Sequence, residues 1–345
     1  MKTIKRLPLR QQVCDALRKE IGKKEPGDRL DTEQGLAKRL DVSVLTVREA
    51  LGMLAHEGLI LRQQGRGTFV AERPEPAKRT QMVGVLSGLD ITGIPISTFF
   101  LHAIRGLRDS LNQAGTKNRV YIGLTKPGEP PGQGEAYADL IADIEAGEVT
   151  GLVVLSTQHH PGLLAAIRAH HVWVVSDWQD SDCSIVTDDQ ALGRMGAEEL
   201  ARRGARTVGY VGWSGTMMRT FASTAAKLGL ETRPDWLRSD LHPLDPGAGE
   251  QQFAALRAGG PMPDGVLVGD VHLLEGFATA AGGAIPHLVS HHFTGATVAV
   301  PPGTSLLNID TGEYGRMQHA AIAKLMAGES IERHLTLSPK LIPAG

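Results

Sequence analysis

Ser43-Val44-Leu45-Thr46-Val47-Arg48-Glu49-Ala50-Leu51-Gly52-Met53-Leu54 is the stretch from which the N-terminal fold is read. At 100° per residue, Val47, Ala50, Leu51 and Leu54 share one helical face, which is expected to lie in a core. Leu45, Thr46, Arg48, Glu49 and Gly52 then point outward. Ser43 is expected to cap this helix, which runs to about Glu57. Upstream, Asp31-Thr32-Glu33-Gln34 reads as a cap with a reciprocal Gln34 three residues on, opening a helix through Leu40. Asp41-Val42-Ser43 turns between them, so the pair forms a helix-turn-helix. Leu9–Ile21, apolar at 9, 13, 17 and 21, adds a helix before it. Downstream, Leu59–Arg62 and Thr68–Val70 are expected to form a hairpin closed by Gln63-Gln64-Gly65-Arg66-Gly67, a glycine-rich wing.

A short outward face with a hydroxyl and a cation near a helix N-terminus suits entry into a DNA groove, where free N–H groups favour phosphate. Arg66, between two glycines at the wing tip, suits a minor groove or a phosphate. The segment resembles the GntR family of bacterial winged helix-turn-helix regulators. The likeness rests on Pro26-Gly27-Asp28-Arg29-Leu30, Glu33, Leu36-Ala37, Val42-Ser43, Thr46–Leu51, Leu54, Glu57–Ile60 and Gly65–Val70. It implies a DNA-binding domain over residues 1–73. The family's DNA-facing positions fall on Gln34, Ser43, Thr46, Arg48, Gly65 and Arg66. Val44 stands where members usually carry Arg, and Asp31 where they carry Pro, so a guanine or phosphate contact is lost. The outward Leu45 is expected to touch a thymine methyl instead. Two such domains on a homodimer would grip a palindromic double-stranded operator.

The rest of the chain differs in texture. Residues 1–80 hold 17 Lys and Arg against 11 Asp and Glu, whereas residues 81–345 hold 19 against 27. A polyanion partner is thus expected for the first part alone. Two cysteines without metal-type spacing, no signal-peptide core and no long apolar run lead to the expectation of a cytoplasmic chain outside any membrane. Residues 74–81, with two prolines and no periodicity, read as a linker.

Beyond it, Val83–Leu86, Val120–Ile122, Leu152–Leu155, Val172–Val175, Val208–Val211, Gly265–Val268 and Thr297–Val300 read as buried strands. Helix-length segments separate most of them: Leu101–Ala114, Glu135–Ala146, Gly162–Ala169, Leu192–Arg203 and Thr220–Leu228. That alternation predicts an α/β fold of parallel sheets covered on both faces. The pattern restarts near residue 184, giving two lobes within 82–345. Lobe 1 is expected over about 82–183 plus 311–328, and lobe 2 over about 184–310 plus 329–345.

The large domain shows no G-x-S-x-G elbow, phosphate loop or G-x-G-x-x-G after a strand, so no enzyme, cofactor or metal is expected. His287 and His291 have metal-type spacing only on a helix, and the segment reads as a strand. The domain resembles the effector domain of LacI-type repressors, itself similar to periplasmic ribose-binding proteins. Val83–Ser87 followed by Phe99-Phe100, Val174–Asp177, Ile185–Asp189 with Gly193 and Ala197, Gly204–Gly212, Pro263–Leu267, Gly315 and Leu335–Pro339 carry the likeness. It implies a ligand between the lobes at the carboxyl ends of the strands.

The matching ligand positions are Ser87, Phe99, Phe100, Asp177, Trp178, Arg219 and Asp270, with His292 and Asn308 on the last strands. Trp178 and His292 depart from the usual Arg and Asp. Joining such a head to such a body is similar to arabinose-responsive repressors, which points to a pentose. The implied function is a repressor of a carbohydrate utilisation operon, released by a small sugar-like ligand. A ligand-independent or protein-responsive regulator with a degenerate cleft is the alternative.

Overall fold

The computed structural model describes residues 9–21, 24–56, 59–63, 66–71, 81–89, 98–125, 135–155, 160–240, 245 and 247–345. Gly65 and residues 74–80 of the expected linker lie outside them. The chain divides into two compact units, the first taking residues up to 80 and a short stretch at 164–171, the second the remainder from 81.

The first unit holds α1 (Leu9–Ile21), α2 (Glu33–Leu40), α3 (Val44–His56), β1 (Ile60–Gln63) and β2 (Gly67–Val70). Val47, Ala50, Leu51 and Leu54 have no exposed surface and pack with Val13, Leu17 and Leu36, as the helical period requires. The cap of α2 is Thr32, one residue later than expected, and its hydroxyl accepts from Gly35 N–H at 3.1 Å. Gly35, not Gln34, therefore stands three residues on, and no reciprocal side-chain bond can form. Asp31 instead lies 3.6 Å from the Arg39 guanidinium. Ser43 accepts from Thr46 N–H at 3.1 Å, closing the first turn of α3. The hairpin pairs Ile60 with Val70 and Gln63 with Gly67, and Arg29 bridges to Phe69 along the outer edge. Gly67 has φ +124°, a backbone conformation that favours glycine.

The second unit runs β3 (Met82–Leu89), α4 (Thr98–Gln113), β4 (Lys117–Thr125), α5 (Glu135–Glu145), β5 (Val149–Leu155), α6 (Pro161–His170), β6 (Trp173–Ser176) and β7 (Cys183–Thr187). It continues with α7 (Asp189–Arg202), β8 (Val208–Val211), α8 (Gly215–Lys227), β9 (Leu237–Arg238), α9 (Ala248–Ala258), β10 (Gly265–Val268), α10 (Val271–Ala281) and β11 (His287–Phe293). β12 (Thr304–Ile309), α11 (Thr311–Met326), β13 (His334–Leu337) and β14 (Lys340–Ile342) complete it. Two six-stranded sheets result, ordered β13-β7-β6-β5-β3-β4 and β14-β12-β11-β10-β8-β9. Every pairing is parallel except β12 with β14.

The division between lobes differs from the expected one. β7 pairs with β6 and β13 pairs with β7, so residues 183–187 and 334–337 belong to the first sheet, not to lobe 2. Only β14 returns to the second. The chain therefore crosses between lobes at Asp188, at Asp310 and at Ser338-Pro339. The first and last crossings are tied where Asp188 N–H donates to Leu337 O at 3.1 Å. Thr297–Val300 is not a strand: Pro301-Pro302 follow and offer no N–H to a ladder. The strands there are β11 before it and β12 after it.

Helix pairs cross closely where a glycine meets a neighbouring backbone. A Cβ on Gly193 of α7 would lie 2.3 Å from Met217 O of α8, and one on Gly315 of α11 would lie 2.3 Å from Leu107 N of α4. Gly249 of α9 meets Leu273 O of α10 at 2.4 Å in the same way.

Candidate functional site

On the first unit, α3 presents Leu45, 62% exposed, together with exposed Arg48 and Glu49 and half-buried Thr46. Ser43 and Thr46 share a hydroxyl–hydroxyl bond of 2.8 Å at the helix start. Gln34 lies exposed on α2, and Arg66 is exposed at the wing, its N–H donating to Gln63 O at 3.0 Å. The outward set expected from the helical period is thus at the surface. Arg48 is also held from the side: its Nε and Nη2 donate to Glu33 Oε2 at 3.0 and 2.9 Å. Arg62 of β1 donates to the other oxygen of the same carboxylate. Glu33 and Arg62 carry a role that the helical period did not reveal, because the pairing spans three elements.

In the second unit the carboxyl ends of both sheets carry the other expected residues. Asp270 ends the β10 segment and caps α10, accepting from His272 N–H at 2.9 Å and from His272 Nδ1 at 2.8 Å. A carboxylate can only accept, so Nδ1 carries the proton. Burial alone would raise the Asp270 carboxyl; the His272 bond and the fields of His291 and His272 outweigh it and hold it below the ordinary value. His291, next along β11 from Ser290, has both ring nitrogens shielded from solvent and unpartnered among the described residues. Burial keeps it neutral, lowering its pKa against the pull of Asp270 and Asp189.

His292 Nδ1 donates to Asn308 Oδ1 at 2.9 Å, across the β11–β12 register that pairs these two residues. Asn308 Nδ2 donates to Thr294 Oγ1 at 3.0 Å. Arg219 lies exposed on α8 and donates to Thr216 Oγ1 at 3.1 Å; no bond joins it to Asp270 among the described residues. Ser214, which caps α8, donates to Asp189 Oδ2.

Lobe 1 presents a different surface. Phe99 and Phe100 open α4, edge to face at 5.6 Å. Phe99 also stands 5.5 Å from Phe293 and 5.7 Å from Tyr314. Phe293, though on lobe 2's β11, is 2% exposed and lies in the same apolar cluster as Ile104 and Leu107 of lobe 1. Phe99 therefore packs at the junction of the lobes and does not stand open as a platform. Ser87 is fully buried within β3. Asp177 follows β6 and is exposed, while half-buried Trp178 donates its backbone N–H to Ser176 Oγ at 2.9 Å.

Of the expected residues, Ser87, Phe99, Phe100, Asp177 and Trp178 fall on lobe 1 and Arg219, Asp270, His292 and Asn308 on lobe 2, so every aromatic ring but the imidazole is on lobe 1. Asp189, His272, His291 and Phe293 join them. The sequence assigns none of these four a ligand position, because their neighbours come from distant parts of the chain. Among the described residues, no group of three or more His, Cys, Asp or Glu is placed to hold a metal, and no helix is long and apolar enough to cross a membrane.

A winged helix-turn-helix unit and a two-lobed body of parallel sheets define the class of architecture. The comparisons give this class its relatives. Residues 9–70 match the profile "Bacterial regulatory proteins, gntR family". The arabinose metabolism transcriptional repressor of Geobacillus stearothermophilus is 26% identical over 215 residues, 59% of this chain and 55% of that protein. The chain thus spans just over half the length of this curated relative. Among solved structures, the transcriptional regulator CelR in complex with cellobiose superposes with TM-score 0.62 at 16% identity, covering 88% of this chain and 90% of that one. A regulatory protein of the LacI family from Chloroflexus aggregans gives 0.60 at 17%, covering 76% and 97%. The body has the fold of LacI-type regulators, and the matched relatives are transcriptional regulators.

Proposed function

We propose that this chain is a sequence-specific DNA-binding transcriptional regulator, a repressor of a carbohydrate utilisation operon that a small sugar-like ligand releases from its operator. The observation that carries this reading is the split of α3 into a dry core face and an outward face with Leu45, Thr46 and Arg48, in the segment that matches the gntR profile. The arabinose repressor likeness supports a pentose, and the cellobiose complex of the superposed regulator supports a carbohydrate. The chain acts as a cytoplasmic homodimer on a palindromic site, without catalysis. Ligand closure of the lobes shifts the DNA-competent population only by its difference in affinity for the two states.

A second reading, a regulator whose cleft takes no ligand, draws on Phe99 packed against Phe293 and Tyr314. Thermal unfolding of the second unit against pentoses, hexoses, sugar acids and nucleosides separates the two. A ligand at 100 times its Kd raises stability by about 2.7 kcal/mol. The expected result is a shift with a pentose; no shift across the panel favours the second reading.

A further inference from the structure

Glu33 sits in the first turn of α2, its side chain 23% exposed, with one carboxylate facing two arginines from different elements. Arg48 of the recognition helix approaches with two nitrogens on Oε2, and Arg62 of the wing strand approaches Oε1. Each oxygen is therefore committed to one guanidinium. Arg62 Nη2 and Arg48 Nε and Nη2 are the nitrogens bonded to the carboxylate, and neither Nη1 takes part in these bonds. The two guanidinium groups stay largely in solvent, with side-chain exposures of 58% for Arg48 and 39% for Arg62. The hydrogen bond to Glu33 and its charge raise the Arg48 pKa still further, so its charge is permanent.

A carboxylate on a face that meets DNA is electrostatically unfavourable toward phosphate, since it repels the polyanion. Its place in the first turn of α2 favours the helix dipole, but for that effect it needs no arginine partner. What it does supply is geometry. A free arginine on an exposed helix samples many rotamers, and fixing it on DNA costs entropy at the moment of binding. An arginine already held by a fork to a neighbour has lost that freedom beforehand. Both guanidinium planes are fixed relative to each other as well, one on the helix and one on the wing. The spacing between a groove contact and a backbone contact is thereby set before DNA arrives.

We propose that Glu33 is a positioning residue for DNA recognition, presenting Arg48 and Arg62 in one fixed arrangement and trading general DNA affinity for preference among sequences. The inference rests on the DNA-binding reading of the first unit. It assigns Glu33 no contact with DNA. The arginines keep donors free toward phosphate or base edges, and the carboxylate acts through them.

The test uses the full-length chain. A duplex is first selected by the wild-type chain from a random pool, and its affinity is compared with that of an unselected duplex by fluorescence anisotropy. Glu33→Gln keeps the size of the side chain, removes one negative charge and cannot accept from both arginines with equal strength. The expected result is about a tenfold loss on the selected duplex, with affinity for the unselected duplex unchanged or tighter. A merely structural role would weaken both duplexes together and lower the melting temperature. A merely electrostatic role would tighten both by the same factor. Either outcome overturns the proposal, as does full retention of the preference. Arg48→Gln in the Glu33→Gln background should add little further loss on the selected duplex; full additivity of the two changes also overturns it. A wild-type chain that selects no duplex overturns the DNA reading itself and this proposal with it, whereas loss confined to the variant leaves both standing.

Discussion

The two lobes of the large unit are built alike and finished differently. Each has six strands and a helix crossing held open for backbone contact by glycine, Gly315 in lobe 1 and Gly193 in lobe 2. Near the carboxyl ends of the strands, lobe 1 carries Phe99, Phe100 and Trp178 beside Ser87 and Asp177, whereas lobe 2 carries Asp270, His272, His291, His292 and Asn308. The same scaffold thus carries an aromatic-rich set on one lobe and a histidine- and amide-rich set on the other. The difference lies toward the strand ends, in the residues just beyond them and in the first turns of α4 and α10, outside the apolar runs that build the sheets.

Phe293 is where the contrast breaks down, and it makes the strongest test. It is a lobe 2 residue that packs on Phe99 of lobe 1 at 5.5 Å as well as on His272 of its own lobe at 5.8 Å. Phe293→Ala should cost about 3–5 kcal/mol of the large unit's stability. Denaturant unfolding followed on that unit measures it; a cost under about 1 kcal/mol would mean that the lobes do not share this core.

The glycine crossings come next. Gly315→Ala and Gly193→Ala each place a Cβ 2.3 Å from backbone atoms, which cannot move as a flexible side chain would. Each should cost about 1–3 kcal/mol. Similar losses from both would show that the crossings are equivalent in the two lobes; a loss confined to one would show that only that helix pair lacks slack.

A smaller effect separates two aspartates that do the same backbone work. Asp310 caps α11 and Asp270 caps α10, accepting at 2.9 Å from Glu313 N–H and from His272 N–H respectively. Asp310→Ala should cost about 1 kcal/mol, the usual value of a cap. Asp270→Ala should cost about 2 kcal/mol, because it also strands the His272 ring. Equal costs at pH 7 would mean that the imidazole bond contributes nothing.

How much of this was legible beforehand depends on the range of the signal. The core face of α3 was readable because Val47, Ala50, Leu51 and Leu54 repeat at a local period. The parallel sheets were readable because their strands are near-continuous apolar runs. The lobe boundary was misplaced because β13 and β14, three or four residues each, exchange sheets across Ser338-Pro339, and nothing local says which sheet a short strand will join. Thr297–Val300 alternates like a strand, but the register it would need is denied by two prolines. Asp270, His292 and Asn308 were found at strand ends, while Glu33, His291 and Phe293 were not assigned roles. Their partners are 15 or more residues away or on another strand, where only the folded chain brings them together.

The smallest effect compares two buried histidines by pH. His291 in lobe 2 and His319 in lobe 1 both have lowered pKa values, in each case chiefly because burial penalises the cation. His291 faces Asp270 and Asp189, which pull its pKa up, and His292 and His272, which push it down. His319 shares a 2.8 Å bond with Ser110. A base whose folded pKa is depressed leaves the unfolded state binding more protons below the ordinary value of 6.5. Stability from this source is therefore present above pH 6.5 and declines as the pH falls from there toward the folded pKa. Asp270 works in a separate window, since its depressed carboxyl contributes above the ordinary 3.8 and loses that contribution only at lower pH. Urea midpoints measured at pH 7, 6 and 5 should fall steadily in the wild-type chain. His291→Leu should flatten that decline more than His319→Leu, because both His291 nitrogens are shielded without a partner whereas His319 keeps its serine. If His319→Leu flattens it as much, the acid-sensitive character belongs to both lobes alike, and the polar finish of lobe 2 adds nothing to how the chain responds to protons.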